Sequence, residues 1–165
     1  MPFFDDPIYK KIDYKALETW VATWFGCGFM RPAPGTWGTL GALPFGIVLM
    51  LIGGPAALLI ACIIAFPIGL WAAEKFDHMV GSEDSSMIVI DEAVGLWIAL
   101  MAASLTPFAI LASFLLFRFF DALKPWPISW LDKNIKGAMG VMIDDVAAGF
   151  AAALCVFGLE YTHVL

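Results

Sequence analysis

Histidine, cysteine and charge are all scarce in this sequence, and each scarcity removes a class of chemistry. His78 and His163 are the only histidines, the second in the tail, so a histidine nucleophile or a zinc centre has little material. Three unclustered cysteines, Cys27, Cys62 and Cys155, form no CxxC, which argues against a disulfide framework or a thiolate metal site. Charged residues make up 15% of the 165, against about 25% in soluble domains. So few argue against a nucleic-acid binder, a disordered chain and a collagenous or coiled-coil rod. No stretch alternates with period two for long enough to suggest a sheet, and there is no internal repeat. The start, MPFFDDPIYKKIDYKALETW, lacks the basic, apolar and small-residue order of a cleaved leader, which predicts a retained, cytoplasmic N-terminal region.

What fills the space is hydrocarbon. Hydrophobic residues reach 61% and mean hydropathy is +0.85, whereas soluble domains hold about 45 to 50% apolar residues even with glycine counted. The expected class is an all-α helical membrane protein, a single domain over 1–165 with an N-terminal amphipathic region at 1–25 containing a short helix. About four apolar helical segments are predicted, joined by interfacial ones. Pro32 to Ala73 is uncharged for 42 residues and is divided by Gly53-Gly54-Pro55. The pieces, about 37–53 and 55–73, approach the roughly 20 residues that cross a bilayer, and the glycines with proline suit a tight turn between antiparallel helices. Ala93 to Phe117 and Val146 to Leu159 are the other uncharged runs. Trp37, Trp71, Trp97, Trp126 and Trp130 lie near run edges, where interfacial aromatics belong.

The run 93–117 has two readings. As one Pro-kinked span it would put the flanking charged segments on opposite sides of the membrane. As a shallow helical hairpin bending at Ser104-Leu105-Thr106-Pro107 it keeps both on one side, the arrangement the Lys and Arg distribution favours.

Net charge is −6, but residues 74–92 alone hold six acids against Lys75, so nearly all the excess acid sits in one connection. That connection ends in adjacent Asp91 and Glu92 at the mouth of an apolar run. A second pair, Asp144 and Asp145, precedes VAAG, and Arg118, Asp121 and Lys124 follow one another at i, i+3 and i+6. Capping or ion pairing accounts for any one of these alone. Together, five carboxylates need neutralising, and hard oxygens without histidine or cysteine suit Mg²⁺. Bases beside them suit a phosphate, so the ensemble points to metal-assisted phosphoryl chemistry. In GCGFMRPAPGTWGTLGALP, Gly35, Gly38 and Gly41 with Thr36 and Thr39 read either as an anion cradle at a helix start or as small residues for close packing. It is not a Walker A loop, since no GK[ST] follows.

The segments APGTWGTLGALP, IVIDEAVGLWIAL, FRFFDALKPWPISWLD and GVMIDDVAAG resemble the four blocks of the phosphatidylglycerophosphatase A family over most of residues 26–149. The resemblance implies a family-like membrane domain over 26–165 and a Mg²⁺-dependent enzyme of phospholipid biosynthesis. Its substrate would be phosphatidylglycerophosphate, cleaved to phosphatidylglycerol and phosphate at the bacterial inner (cytoplasmic) membrane, on the cytoplasmic face. Asp91, Glu92, Asp121, Asp144 and Asp145 are then the expected catalytic and metal-holding residues, with Arg118, Lys124, Thr36 and Thr39 gripping phosphate. Attack by water and attack by an aspartate both remain open. Membrane lipids are the other expected partners, with no nucleic acid and no obligate protein. A cation transporter and a non-catalytic scaffold are the alternatives.

Overall fold

A computed structural model describes residues 8–163; the first seven residues of the N-terminal region lie outside the described residues. Among those described, the chain is helical with no strand, as expected. It runs α1 (Leu17–Ala22), α2 (Pro34–Val80), α3 (Ile90–Leu100), α4 (Pro107–Leu123), α5 (Ile128–Asn134) and α6 (Gly137–Tyr161), with short 3-10 turns at Tyr9–Lys11 and Cys27–Phe29.

α2 is two helices in one. Its path breaks at Gly53 and Gly54, the latter at φ 61° and ψ −154°, a conformation open to glycine alone, and Pro55 then starts the second limb. Contacts along α3 give the directions of both limbs. Gly46 packs on Trp97 and Leu100, whereas Gly69 packs on Ile90, and Cys62 Sγ lies 3.8 Å from the Val94 carbonyl. The first limb therefore runs parallel to α3 and the second antiparallel, which makes α2 the predicted hairpin. The second limb extends beyond the uncharged run to Val80 and stops at Gly81, whose φ of 72° closes the helix.

The run 93–117 also divides. α3 ends at Leu100, and Thr106 caps α4 by accepting from the Ala109 N–H at 3.2 Å, with Pro107 in the first turn. α3 has 11 residues, about 16 Å, too short to cross a bilayer. α4 returns beside it, bringing Arg118 within 3.7 Å of Glu92. Both charged segments thus lie at the same end, the hairpin reading.

Every residue of α3 is buried, ringed by the limbs of α2, α4 and α6. A helix apolar on all faces is expected at the centre of a bundle. The outer helices turn large apolar side chains outward, among them Ile52, Ile63, Phe108, Leu111, Leu154 and Phe157, each more than half exposed. Of the four expected apolar segments, two helices, Pro34–Val80 and Gly137–Tyr161, are long and apolar enough to cross a membrane. Trp97 departs from its expected interfacial place: it is buried, and its Nε1 donates to the Ala42 carbonyl at 3.1 Å. The other four edge tryptophans are exposed or half-buried.

Candidate active site

The start and end of α2, the start of α3, the end of α4 and the start of α6 converge at one end of the bundle, and the acids gather there. Asp91 and Glu92 occupy the first turn of α3, whereas Asp145 is the ninth residue of α6, two turns inside the helix and not at its start. These two helices touch backbone to backbone. A Cβ on Gly149 would stand 2.4 Å from the Gly95 carbonyl oxygen, and one on Gly95 would stand 2.7 Å from the Asp145 carbonyl oxygen. Asp91 precedes Gly95 by four residues, as Asp145 precedes Gly149, so each acid shares a helix face with its glycine. Close contact at the glycines therefore carries the acids together.

The result is a buried trio. One carboxylate oxygen from each of Asp91, Glu92 and Asp145 lies within 4.8 Å of the others, and Asp91 Oδ1, Glu92 Oε2 and Asp145 Oδ2 have no hydrogen-bond partner. Burial, and then the charge of Glu92, holds the Asp91 carboxyl well above the ordinary range. Burial and then Asp145 push Glu92 up to about 8. Three orphaned, mutually repelling hard oxygens with no soft donor beside them fit a divalent cation such as Mg²⁺.

The bases sit around this trio. Arg118 bridges to Asp121, one turn further along α4, as well as facing Glu92. Lys124 closes α4 in the left-handed conformation, φ 42°, and its Nζ lies 2.5 Å from both Asp132 and Asp144. That ammonium holds the Asp132 carboxyl below its ordinary range. Asp121 and Asp144, expected beside the other acids, are thus each paired with a base at the trio's edge. A cavity of about 620 Å³ opens over these residues, walled also by residues 83–86 and by Lys136.

Thr36 and Thr39 do not line that cavity. Thr39 is buried, and its hydroxyl donates to the Gly35 carbonyl at 2.8 Å, one helical turn back. The glycines around them serve close packing: a Cβ on Gly35 would meet Glu92 Oε1 at 2.2 Å, one on Gly38 would meet the Val89 side chain, and one on Gly41 would meet Cys27 Sγ. Of the two readings of this segment, an anion cradle or small residues for close packing, these contacts match the second.

Two positions that shape the site escape a reading of the sequence. Asp132 lies eight residues after Lys124, and only the turn at Pro125 and Pro127 brings it back. Asp77 is buried near the end of α2 and accepts from the N–H groups of Asp84 and Ser85 at 2.9 and 3.0 Å, fixing the cavity wall. Its signal was an acid in a helix's last turn, which the helix dipole disfavours unless donors are supplied.

Comparison with known proteins agrees with this assembly. The family model described as phosphatidylglycerophosphatase A matches residues 20–160. A phosphatidylglycerophosphatase A of Haemophilus influenzae is 42% identical over 153 residues, 92% of this chain and 94% of the relative. One from Escherichia coli K12 is 37% identical over 134 residues, 81% of this chain and 77% of the relative. A Bacteroides thetaiotaomicron protein, provisionally named a phosphatidylinositol-3-phosphatase, is 41% identical over 140 residues, 81% of this chain and 87% of its own. No solved structure matches the chain. Sequence blocks and matched span agree, and the chain belongs to the phosphatidylglycerophosphatase A family.

Proposed function

We propose that this protein is a Mg²⁺-dependent lipid phosphatase that hydrolyses phosphatidylglycerophosphate to phosphatidylglycerol and inorganic phosphate in phospholipid biosynthesis. The observation that carries the reading is the buried trio of Asp91, Glu92 and Asp145 with its orphaned oxygens, beside Arg118 and open to a cavity. The relatives' names agree: two are phosphatidylglycerophosphatases, and the third is named for another phosphomonoester on a phospholipid head group.

Asp91, Glu92 and Asp145 would hold the cation. When bound, a hard divalent ion supplies neutralisation of the three carboxylates and Lewis acidity towards phosphoryl oxygens. Arg118, held in place by Glu92 and Asp121, presents its guanidinium to the transferring phosphoryl group, whose oxygens gain charge in the transition state. Lys124 clamps Asp144 against Asp132 and thereby fixes where the first acid of the α6 pair stands. Asp121 or Asp144 receives the proton when water is the nucleophile. Placing this chemistry at one end of the bundle suits a lipid whose phosphates lie at the membrane surface while its chains stay in hydrocarbon. The enzyme would sit in the bacterial inner membrane with this end on the cytoplasmic face.

The test is phosphate release by the purified protein from phosphatidylglycerophosphate in detergent. Release with Mg²⁺, its loss in EDTA, and phosphatidylglycerol as the lipid product are expected. Turnover that is undiminished by chelation would remove the metal from the reading, and no release at all would remove the reaction.

A further inference from the structure

Three bases line the cavity, and two of them are engaged by carboxylates: Arg118 with Glu92 and Asp121, Lys124 with Asp132 and Asp144. Lys136 differs. Among the described residues it makes no ion pair, and its Nζ donates only to the backbone carbonyl of Asp132, at 2.9 Å. An ammonium has three donors, so this bond fixes the head group's position while leaving two N–H bonds to offer. Lys136 precedes α6 in extended conformation, φ −114° and ψ 168°, and is exposed.

Its place is the second observation. A separate cleft of about 870 Å³ opens between the end of α2 and the start of α6, and Glu83, Lys136 and Gly137 belong to its walls and to those of the 620 Å³ cavity alike. Lys136 therefore stands on the boundary between the chamber holding the carboxylate trio and a cleft with an apolar side formed by Leu70, Ala138 and Met139. The cleft's other wall carries Glu74, Asp77 and His78. Of these, Asp77 is engaged by the backbone N–H groups of Asp84 and Ser85. At that boundary Lys136, standing with Glu83, is the cation that makes no ion pair among the described residues, and it is the one lysine or arginine lining the cleft.

Taking the proposed reaction as given, the substrate has the same order of parts: a terminal phosphomonoester, a glycerol, a phosphodiester, then the diacylglycerol. With the monoester at the trio, the next anionic group along the molecule is the diester. We propose that Lys136 binds this phosphodiester, and so makes the enzyme prefer a lipid head group carrying a second phosphate beyond the one removed. The diester of the substrate is meant, not that of a neighbouring lipid. The assay is therefore made in neutral detergent without other phospholipid.

Lys136→Gln is compared with wild type and with Lys136→Arg in the full-length protein. Short-chain phosphatidylglycerol, which has the diester and lacks the monoester, is titrated calorimetrically, and KM and kcat are measured on short-chain phosphatidylglycerophosphate. Losing a charged hydrogen bond should raise both the Kd and the KM about tenfold in Lys136→Gln. The kcat and inhibition by inorganic phosphate should stay within twofold, and Lys136→Arg should restore both constants. A fall in kcat with Kd and KM unchanged, equal weakening of inorganic phosphate, or no wild-type binding of phosphatidylglycerol each overturns the assignment. Failure of the reaction reads out separately, as wild type that binds phosphatidylglycerol but releases no phosphate from phosphatidylglycerophosphate.

Discussion

Asp91→Asn and Asp145→Asn each swap one charged oxygen of the trio for an amide without changing side-chain size. Loss of one preorganised charge from a buried site costs on the order of a hundredfold in turnover or more, and we expect phosphate release to fall by at least that. Stability should move the other way. With divalent cations chelated, each variant should melt no lower than wild type, because one of three repelling buried carboxylates is gone. Added Mg²⁺ should raise the melting temperature of the wild type more than that of either variant. Equal shifts in wild type and variants would mean that the trio does not hold the ion. Gly35→Ala makes a complementary case: its Cβ would fall 2.2 Å from Glu92 Oε1 and 3.1 Å from an Arg118 nitrogen. Activity should drop with little change in melting temperature, since the displaced groups are side chains. At this scale the sequence named the three acids of the trio, together with Asp121, Asp144, Arg118 and Lys124, as candidates, and missed Asp132, Asp77 and Lys136. It left their grouping open, because adjacency in sequence says nothing of which carboxylate faces which across helices. The offset of four between Asp91 and Gly95, repeated at Asp145 and Gly149, is the one local signal that does.

That same pair of glycines is the test at the scale of helices. α3 and α6 approach until the Gly149 position stands 2.4 Å from the Gly95 carbonyl oxygen, a backbone atom that cannot swing aside. Gly149→Ala should therefore push the helices apart, separating Asp145 from Asp91 and Glu92. Overpacking of this kind costs about 1 to 3 kcal/mol, and activity should fall with melting temperature. Gly158→Ala is the control on the same helix: nothing lies within 4 Å of its Cβ, so it should stabilise, by up to about 1 kcal/mol, and leave turnover intact. Equal behaviour of the two variants, read by thermal melts and phosphate release, would refute the contact. The breaks between helices were legible, since Gly53-Gly54-Pro55 and Thr106-Pro107 carry their own backbone preferences. Complete burial of α3 was not, because an apolar run looks the same whether lipid or protein covers it, and for the same reason Trp97 read as interfacial.

Across the whole molecule, hairpins in α2 and in α3–α4 return the chain repeatedly to one end, and this fixes how it should sit in a membrane. All nine Lys and Arg lie in or beside the segments at the carboxylate end, whereas the turns at 53–54 and 101–106 on the far end carry no charged residue. Lys11 ties the N-terminal segment to that end by donating to the Val80 carbonyl at 3.0 Å. Trp20, Trp37, Trp71, Trp126 and Trp130, all more than 40% exposed, surround the carboxylate end at the level where aromatic rings meet lipid head groups. Positive charge is retained on the cytoplasmic side, so the cavity should open to the cytoplasm. A version lacking Cys27, Cys62 and Cys155 allows this to be read directly. Asn134→Cys, exposed at the end of α5, and Leu105→Cys, exposed in the far turn, should label from opposite faces with a membrane-impermeant maleimide. Asn134→Cys should react in inside-out vesicles and Leu105→Cys in intact spheroplasts. Reaction of both from one face would contradict the membrane placement, and the reverse pattern would put the phosphatase site outside. Because the α3–α4 hairpin does not cross, a third cysteine at exposed Asp84 should label with Asn134→Cys. A single kinked span over 93–117 would instead divide the two.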